Sequence, residues 1–172
     1  MVSVHDVAAF ILREFGAMTT YKLQKLVYYA QGWSLGLSGK ALFAEPLQAW
    51  SDGPASPALF GTHRGQREVG HLSKGEASAI TADQAEFLRH VLAPHVARSP
   101  ERLVDDTHSE TPWLAARAGV RDGVSSQREI THEALTEFFG NPVVQGILRT
   151  TGEDEAVIEE LADRDRAGLY ER

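Results

Sequence analysis

The chain has 172 residues, of which 42% are hydrophobic, a formal net charge of −7 and no cysteine. That length supports one domain with a real core, and the missing thiols exclude disulfides, thiolate metal sites and a cysteine nucleophile. No apolar run approaches the roughly 18 residues of a membrane span, and Met1 to Asp6 shows neither a basic n-region nor an apolar h-region, so the expectation is a cytoplasmic protein without a membrane partner.

In chain order, Ser3 caps a first helix, with Asp6 reaching back to it. Val4, Val7, Ala8, Ile11 and Phe15 give that helix an apolar stripe, Phe10 broadens it, and Gly16 stops it. Thr19 or Thr20 caps a second helix, which packs on the first as a hairpin because the link is short. In this second helix Leu23, Leu26, Val27, Ala30, Ser34 and Leu37 recur at three- and four-residue spacing. Lys22, Lys25 and Tyr29 fall on a different face, with Gly32 and Gly36 below them. Two cations beside an aromatic ring suggest a surface that another molecule touches. The alternative is a pair of half-buried tyrosines, Tyr28 and Tyr29, with a solvated lysine rim.

Gly36 to Pro46 reads as loop, and Leu47 to Trp50 as a short strand. Asp52-Gly53-Pro54 has turn chemistry. Ser56-Pro57 opens a short helix that ends near Gly65. Arg67 to Leu72 is weakly strand-like and is expected to form a small sheet or hairpin with residues 47–50. Thr81-x-x-Gln84 is a capping box for a helix that buries Phe87, Leu88, Val91 and Leu92, with Pro94 limiting its length. Ser99-Pro100 opens another helix anchored by Leu103 and Val104. Trp113 to Ala118 is helical after Pro112, Gly119 to Gln127 is loop, and Thr131 caps a helix that ends at Gly140. In the tail, Val157, Ile158 and Leu161 mark an amphipathic helix in an acidic setting; it either docks on its own domain or lies in a partner's groove. The fold expected is mainly α with a small β element (α+β), a compact helical domain with a short hairpin or small sheet.

Four segments carry a family resemblance. Tyr21-Lys22-Leu23-Gln24-Lys25-Leu26-x-Tyr28-Tyr29-Ala30-Gln31-Gly32 resembles the N-terminal signature of the Panacea domain, the SocA-like, phage-associated antitoxin family. Leu42-Phe43 with Ala49-Trp50-x-x-Gly53-Pro54 resembles its loop-strand-GP segment. Thr107-His108-x-Glu110-x-Pro112-Trp113 resembles its T-H-x-x-x-P-W block, and Ile130 through Phe139 its closing helix. Ala55 departs from the valine usual after Gly-Pro. The resemblance implies a Panacea-like domain over 1–141; the tail after Pro142 lies outside it, and its charge and apolar spacing suggest an acidic, helical extension over 142–172. It also implies an antitoxin that neutralises a cognate toxin by direct protein binding, or delivers it to a protease, within a family that serves as a platform for diverse toxins.

The charge is unevenly placed. Residues 153–172 hold eight acids against three arginines, which leaves the main body near neutral and without the basic stripe of a nucleic-acid binder. The histidines lack metal-ligand spacing: His132-Glu133 is not followed by a second histidine one turn on, and His90 and His95 are separated by a proline. His108-Ser109-Glu110 looks like a deaminase H-x-E but has no cysteine ligands to complete it. No metal or cofactor is expected, nor any nucleophile elbow or phosphate loop.

Asp105, Asp106, His108 and Glu110 form the one dense titratable cluster. Folded against Lys25 and Tyr29, it would host acid–base work, which is the basis of an alternative reading as a small hydrolase or transferase. The structural account is that His108 and Glu110 satisfy the helix start at Pro112, and that Trp33, Trp50 and Trp113 are packing residues. The main reading is a binding protein and not an enzyme. Its partner-contacting residues are Lys22, Lys25, Tyr29, Trp50, Asp52, Gly53, Pro54, His108, Glu110 and Trp113. A mobile-element adaptor without a toxin is a further alternative.

Overall fold

A computed structural model describes residues 1–149. The tail helix expected around Val157 to Leu161 lies outside the described residues. Eight α-helices and four short strands are formed among the described residues. In order they are α1 (Val4–Phe15), β1 (Met18–Thr19), α2 (Thr20–Ser38), β2 (Gln48–Trp50), β3 (Gly53–Ala55), α3 (Pro57–His63), β4 (Glu68–Val69), α4 (Ala82–Val96), α5 (Pro100–Ser109), α6 (Thr111–Ala116), α7 (His132–Phe139) and α8 (Pro142–Arg149). The mainly α fold with a small β element is what the sequence leads one to expect.

The helix starts follow local chemistry. Ser3 and Asp6 form a complete capping box on α1, as do Thr81 and Gln84 on α4. Thr19, Ser56, Ser99 and Thr131 each accept a backbone N–H at the start of the following helix. Gly16 closes α1 at φ 83°. Pro94 does not end α4, which continues to Val96. It sits in the last turn, where the lost N–H removes only one bond near an end that frays anyway.

The helix α2 is the axis of the molecule. Helices α1, α4, α5 and α7 and strand β3 all pack on it. The expected single apolar stripe is therefore too narrow, because Leu23 through Leu35 are buried on every side. The polar residues inside this run each pin a loop. Gln31 accepts from the Leu42 and Phe43 amides (2.9 and 3.2 Å) and donates to the Phe43 carbonyl (2.9 Å). Gln24 accepts from the Ser56 amide at 2.8 Å and donates to the Ser56 carbonyl at 3.3 Å. The Ser34 hydroxyl donates to the Lys40 carbonyl at 2.8 Å. A buried helix face can carry polar groups when each meets a backbone partner that would otherwise be unsatisfied.

Gly32 and Gly36 let α7 come close. A Cβ on Gly32 would overlap the Phe139 ring, and one on Gly36 would overlap the Phe139 backbone carbonyl. Phe139 fills the space edge-on to Tyr28, Tyr29 and Trp33. The next helix, α8, packs on α4 and α7 and buries Leu148. The segment from Pro142, expected to begin an extension, thus starts on the same core.

The β pairings differ from expectation. Residues 68–69 pair antiparallel with 18–19, not with 47–50. The reason lies at the entrance to α2, where the Thr20 amide donates to the Arg67 carbonyl at 3.0 Å. Residues 48–50 pair instead with 53–55 across a turn at Ser51 and Asp52. Gly53 and Pro54, expected within a turn, are therefore strand. Pro54 faces Ala49, whose amide points away to the Arg128 carbonyl at 2.9 Å. That position of the ladder asks for no N–H from β3, so proline fits.

Candidate functional site

The β2–β3 hairpin is held from behind by three side chains, and each donates to a backbone carbonyl. The Lys25 ammonium donates to Pro54 at 3.1 Å, the Trp113 indole to Trp50 at 3.0 Å, and the Arg117 guanidinium to Ala49 at 3.0 Å. Arg117 also donates to the Val124 carbonyl at 2.8 Å and lies over the Trp113 ring at 5.0 Å. His108 stacks on the other part of this layer, 4.2 Å from Trp113 with rings nearly parallel. Gly53 adopts φ 99°, and a Cβ there would come within 2.8 Å of Lys25 Nζ and 2.9 Å of the Thr107 hydroxyl. Glycine is required here by both conformation and space.

The outward side of the hairpin is different. Asp52 and Tyr21 are exposed, and the Tyr21 hydroxyl donates to the Asp52 carboxylate at 3.4 Å. Trp50 is half-buried, with its ring edge-on to Phe60 at 5.0 Å. Between the hairpin, the start of α2 and α3 lies a cleft of about 340 Å³, with Tyr21, Lys25, Trp50, Asp52, Phe60 and His63 in its walls.

A second network lies behind the first. Glu110 joins α5 to α6 and accepts from Tyr28 at 2.7 Å and Tyr29 at 2.8 Å, one phenol on each carboxylate oxygen. Tyr29 stacks on His95 at 3.6 Å, and His95 accepts from the Trp33 indole at 3.0 Å. Burial pushes His95 down to about 3, so its ring is neutral. Burial pushes Glu110 up to about 7 against the lowering effect of the two phenols, and it raises both phenols. Burial also lowers Lys25 to about 7, with Asp52 pulling the other way.

These two shifts give a pH prediction. The native state holds a proton on Glu110 that the unfolded chain has released, so stability falls as pH rises from about 4.5 to about 7. Native Lys25 releases its proton earlier than the unfolded chain does, so stability rises again from about 7 to about 10.5. Chemical denaturation across this range is expected to show a stability minimum near neutrality, with arms of a few kcal/mol, on the order of 3–5 at most. Glu110→Gln flattens the acid arm alone, and Lys25→Met the alkaline arm alone.

The structure thus draws most of the sequence-derived residues into one place. Lys25, Trp50, Gly53, Pro54, Asp52, His108 and Trp113 surround the hairpin, and Tyr29 and Glu110 lie in the adjoining network. Lys22 is elsewhere, donating to the Val96 and Arg98 carbonyls at the end of α4 (2.6 and 2.9 Å). The expectation that Lys25 and Tyr29 stand on an accessible face is overturned, since they are 2% and 1% exposed. The solvated-rim alternative fails for Lys25 for the same reason. Their polar atoms find partners inside, which sequence spacing cannot reveal. Tyr21, Phe60, His63 and Arg117 were missed; Tyr21 alone had a signal, one turn before Lys25 on the same helix.

A family model described as antitoxin SocA-like, Panacea domain, matches residues 23–114. The chain belongs to the SocA-like antitoxin family. The matched span of this Panacea domain runs from the buried part of α2 to α6 and includes the hairpin and the Glu110 network. Neither a curated protein nor a solved structure matches the chain. Membership of the SocA-like family supports an antitoxin role, a protein partner and a non-enzymatic mode of action. Among the described residues no helix is long and apolar enough to cross a membrane.

Proposed function

We propose that this chain is the antitoxin of a toxin–antitoxin pair and neutralises its toxin by direct protein–protein binding. Family membership supports the role, and the hairpin supports the mode. One side of it is fixed to the core by Lys25, Trp113 and Arg117, while Asp52 at its tip faces outward beside Tyr21. A rigid element with a half-buried aromatic and an exposed charge, beside the exposed Tyr21 of α2, suits recognition at low entropic cost. Trp50, Asp52 and Tyr21 make the contact; Lys25, Gly53, Pro54, His108, Glu110, Tyr29 and Trp113 hold the surface in shape. Glu110 commits both carboxylate oxygens to tyrosines, which favours this positioning role over acid–base catalysis. The acidic residues after 149 add a segment complementary to a basic patch on the toxin.

The product of the adjacent reading frame is expected to arrest growth alone, to be tolerated beside this chain, and to co-purify with it. Trp50→Ala combined with Asp52→Arg is expected to weaken that complex at least tenfold, with the thermal midpoint lowered by only a few degrees because the Trp50–Phe60 contact is lost. Full affinity in a folded double variant refutes the hairpin contact. Loss of toxin from cells without a stable complex points instead to protease delivery.

A further inference from the structure

The cleft beside the hairpin has a polar group at its base that its surroundings do not fully use. Lys25 is 2% exposed and belongs to the cleft wall. Among the described residues its ammonium makes one hydrogen bond, to the Pro54 carbonyl, and no ion pair within 4 Å. An ammonium has three donors, so two remain for an acceptor that enters from the cleft. Two aromatic rings form part of its wall: Trp50 and Phe60 meet edge to face at 5.0 Å. Two further polar groups of this wall are already engaged. Gln24 binds Ser56 and contacts His63 Nε2 at 3.0 Å, and Asp52 accepts from Tyr21 at the mouth. The volume, about 340 Å³, is that of a pocket for one or two side chains and not for a domain surface.

Resting on the antitoxin reading, we infer that this cleft is the anchor site for a carboxylate-bearing segment of the protein partner, with its apolar part between Trp50 and Phe60 and its carboxylate on Lys25. Charge complementarity selects the occupant. A cation would meet the Lys25 ammonium, whereas a carboxylate satisfies that ammonium in a dry setting, where such a bond is strongest. Asp52 at the mouth opposes an acid that stops short of Lys25, so the site favours a carboxylate carried on a stem long enough to pass it.

The test uses the full chain and a small probe, 3-phenylpropionate, with its uncharged amide as control. At pH 6 the Lys25 side-chain resonances and the Trp50 indole signal are expected to shift together with the acid, and the acid to bind at least tenfold more tightly than the amide. Lys25→Met is expected to remove that tenfold preference. Phe60→Ala, at the rim of the fold, is expected to weaken acid and amide alike. Equal binding of acid and amide, or no shift of Lys25 at millimolar acid, overturns the inference. So does a shift of resonances from residues 150–172 on adding the acid, which would assign the cleft to the chain's own acidic tail. Growth rescue separates the two levels: toxin neutralisation with no probe binding removes the cleft and keeps the antitoxin reading. Probe binding with no neutralisation does the reverse.

Discussion

Gly36→Ala is expected to destabilise the protein by about 3 kcal/mol, which lowers the thermal midpoint by roughly 10 °C. The added methyl would sit on the Phe139 carbonyl, 2.7 Å from its oxygen, and backbone cannot swing aside as a side chain can. Moving α7 away would loosen the packing of Phe139 against Tyr28, Tyr29 and Trp33, where one displaced aromatic is worth several kcal/mol. Gly32→Ala differs in kind, because the nearest atoms it meets belong to the Phe139 ring and not to backbone. Its defect is expected to be partly relieved by Phe139→Leu, while that of Gly36→Ala is not. Gly61→Ala in α3 serves as the control. Nothing lies within 4 Å of a Cβ there, and the change is expected to be neutral or mildly stabilising. Thermal unfolding of these variants decides the matter, and a Gly36→Ala protein that melts with the parent refutes the close approach.

Gln31→Leu is expected to cost about 3–5 kcal/mol, although leucine is apolar and of similar size. The amide of Gln31 serves two backbone N–H groups and one carbonyl in the Leu42–Phe43 turn, all inside the core. Leucine would leave these three groups unpaired, at roughly 1–3 kcal/mol for each one that water cannot reach. Gln31→Glu keeps the acceptor but loses the donor and brings a charge into the core. Hydrogen exchange provides the specific readout: in Gln31→Leu the Leu42 and Phe43 amides lose protection before those of α4. Global unfolding without that local sign would mean the turn is held by packing alone.

Both variants show what the sequence made readable and what it did not. Capping chemistry is local, so Ser3 with Asp6, Thr81 with Gln84, and the Ser-Pro pairs at 56 and 99 mark helix starts directly. Strand pairing is not local. Nothing in residues 67–72 says that their partner is the two-residue strand before α2 and not the one at 48–50. The site residues were identifiable as a group because their chemistry is unusual for a packing helix. Their burial was not identifiable. Lysine and glutamine at helical spacing resemble a solvated face until the loops that accept their hydrogen bonds are in place. Arg117 gave no signal, since its targets are carbonyls whose positions depend on the whole fold.

The bolts behind the β2–β3 hairpin all end on main-chain oxygens, those of Ala49, Trp50 and Pro54. Such attachments do not read the identity of the residues they secure. Side chains at the tip can therefore be exchanged during divergence without loosening the mount. A scaffold of this design resembles an antibody loop on its framework, where new specificities arise by swapping the tip and the frame is inherited unchanged.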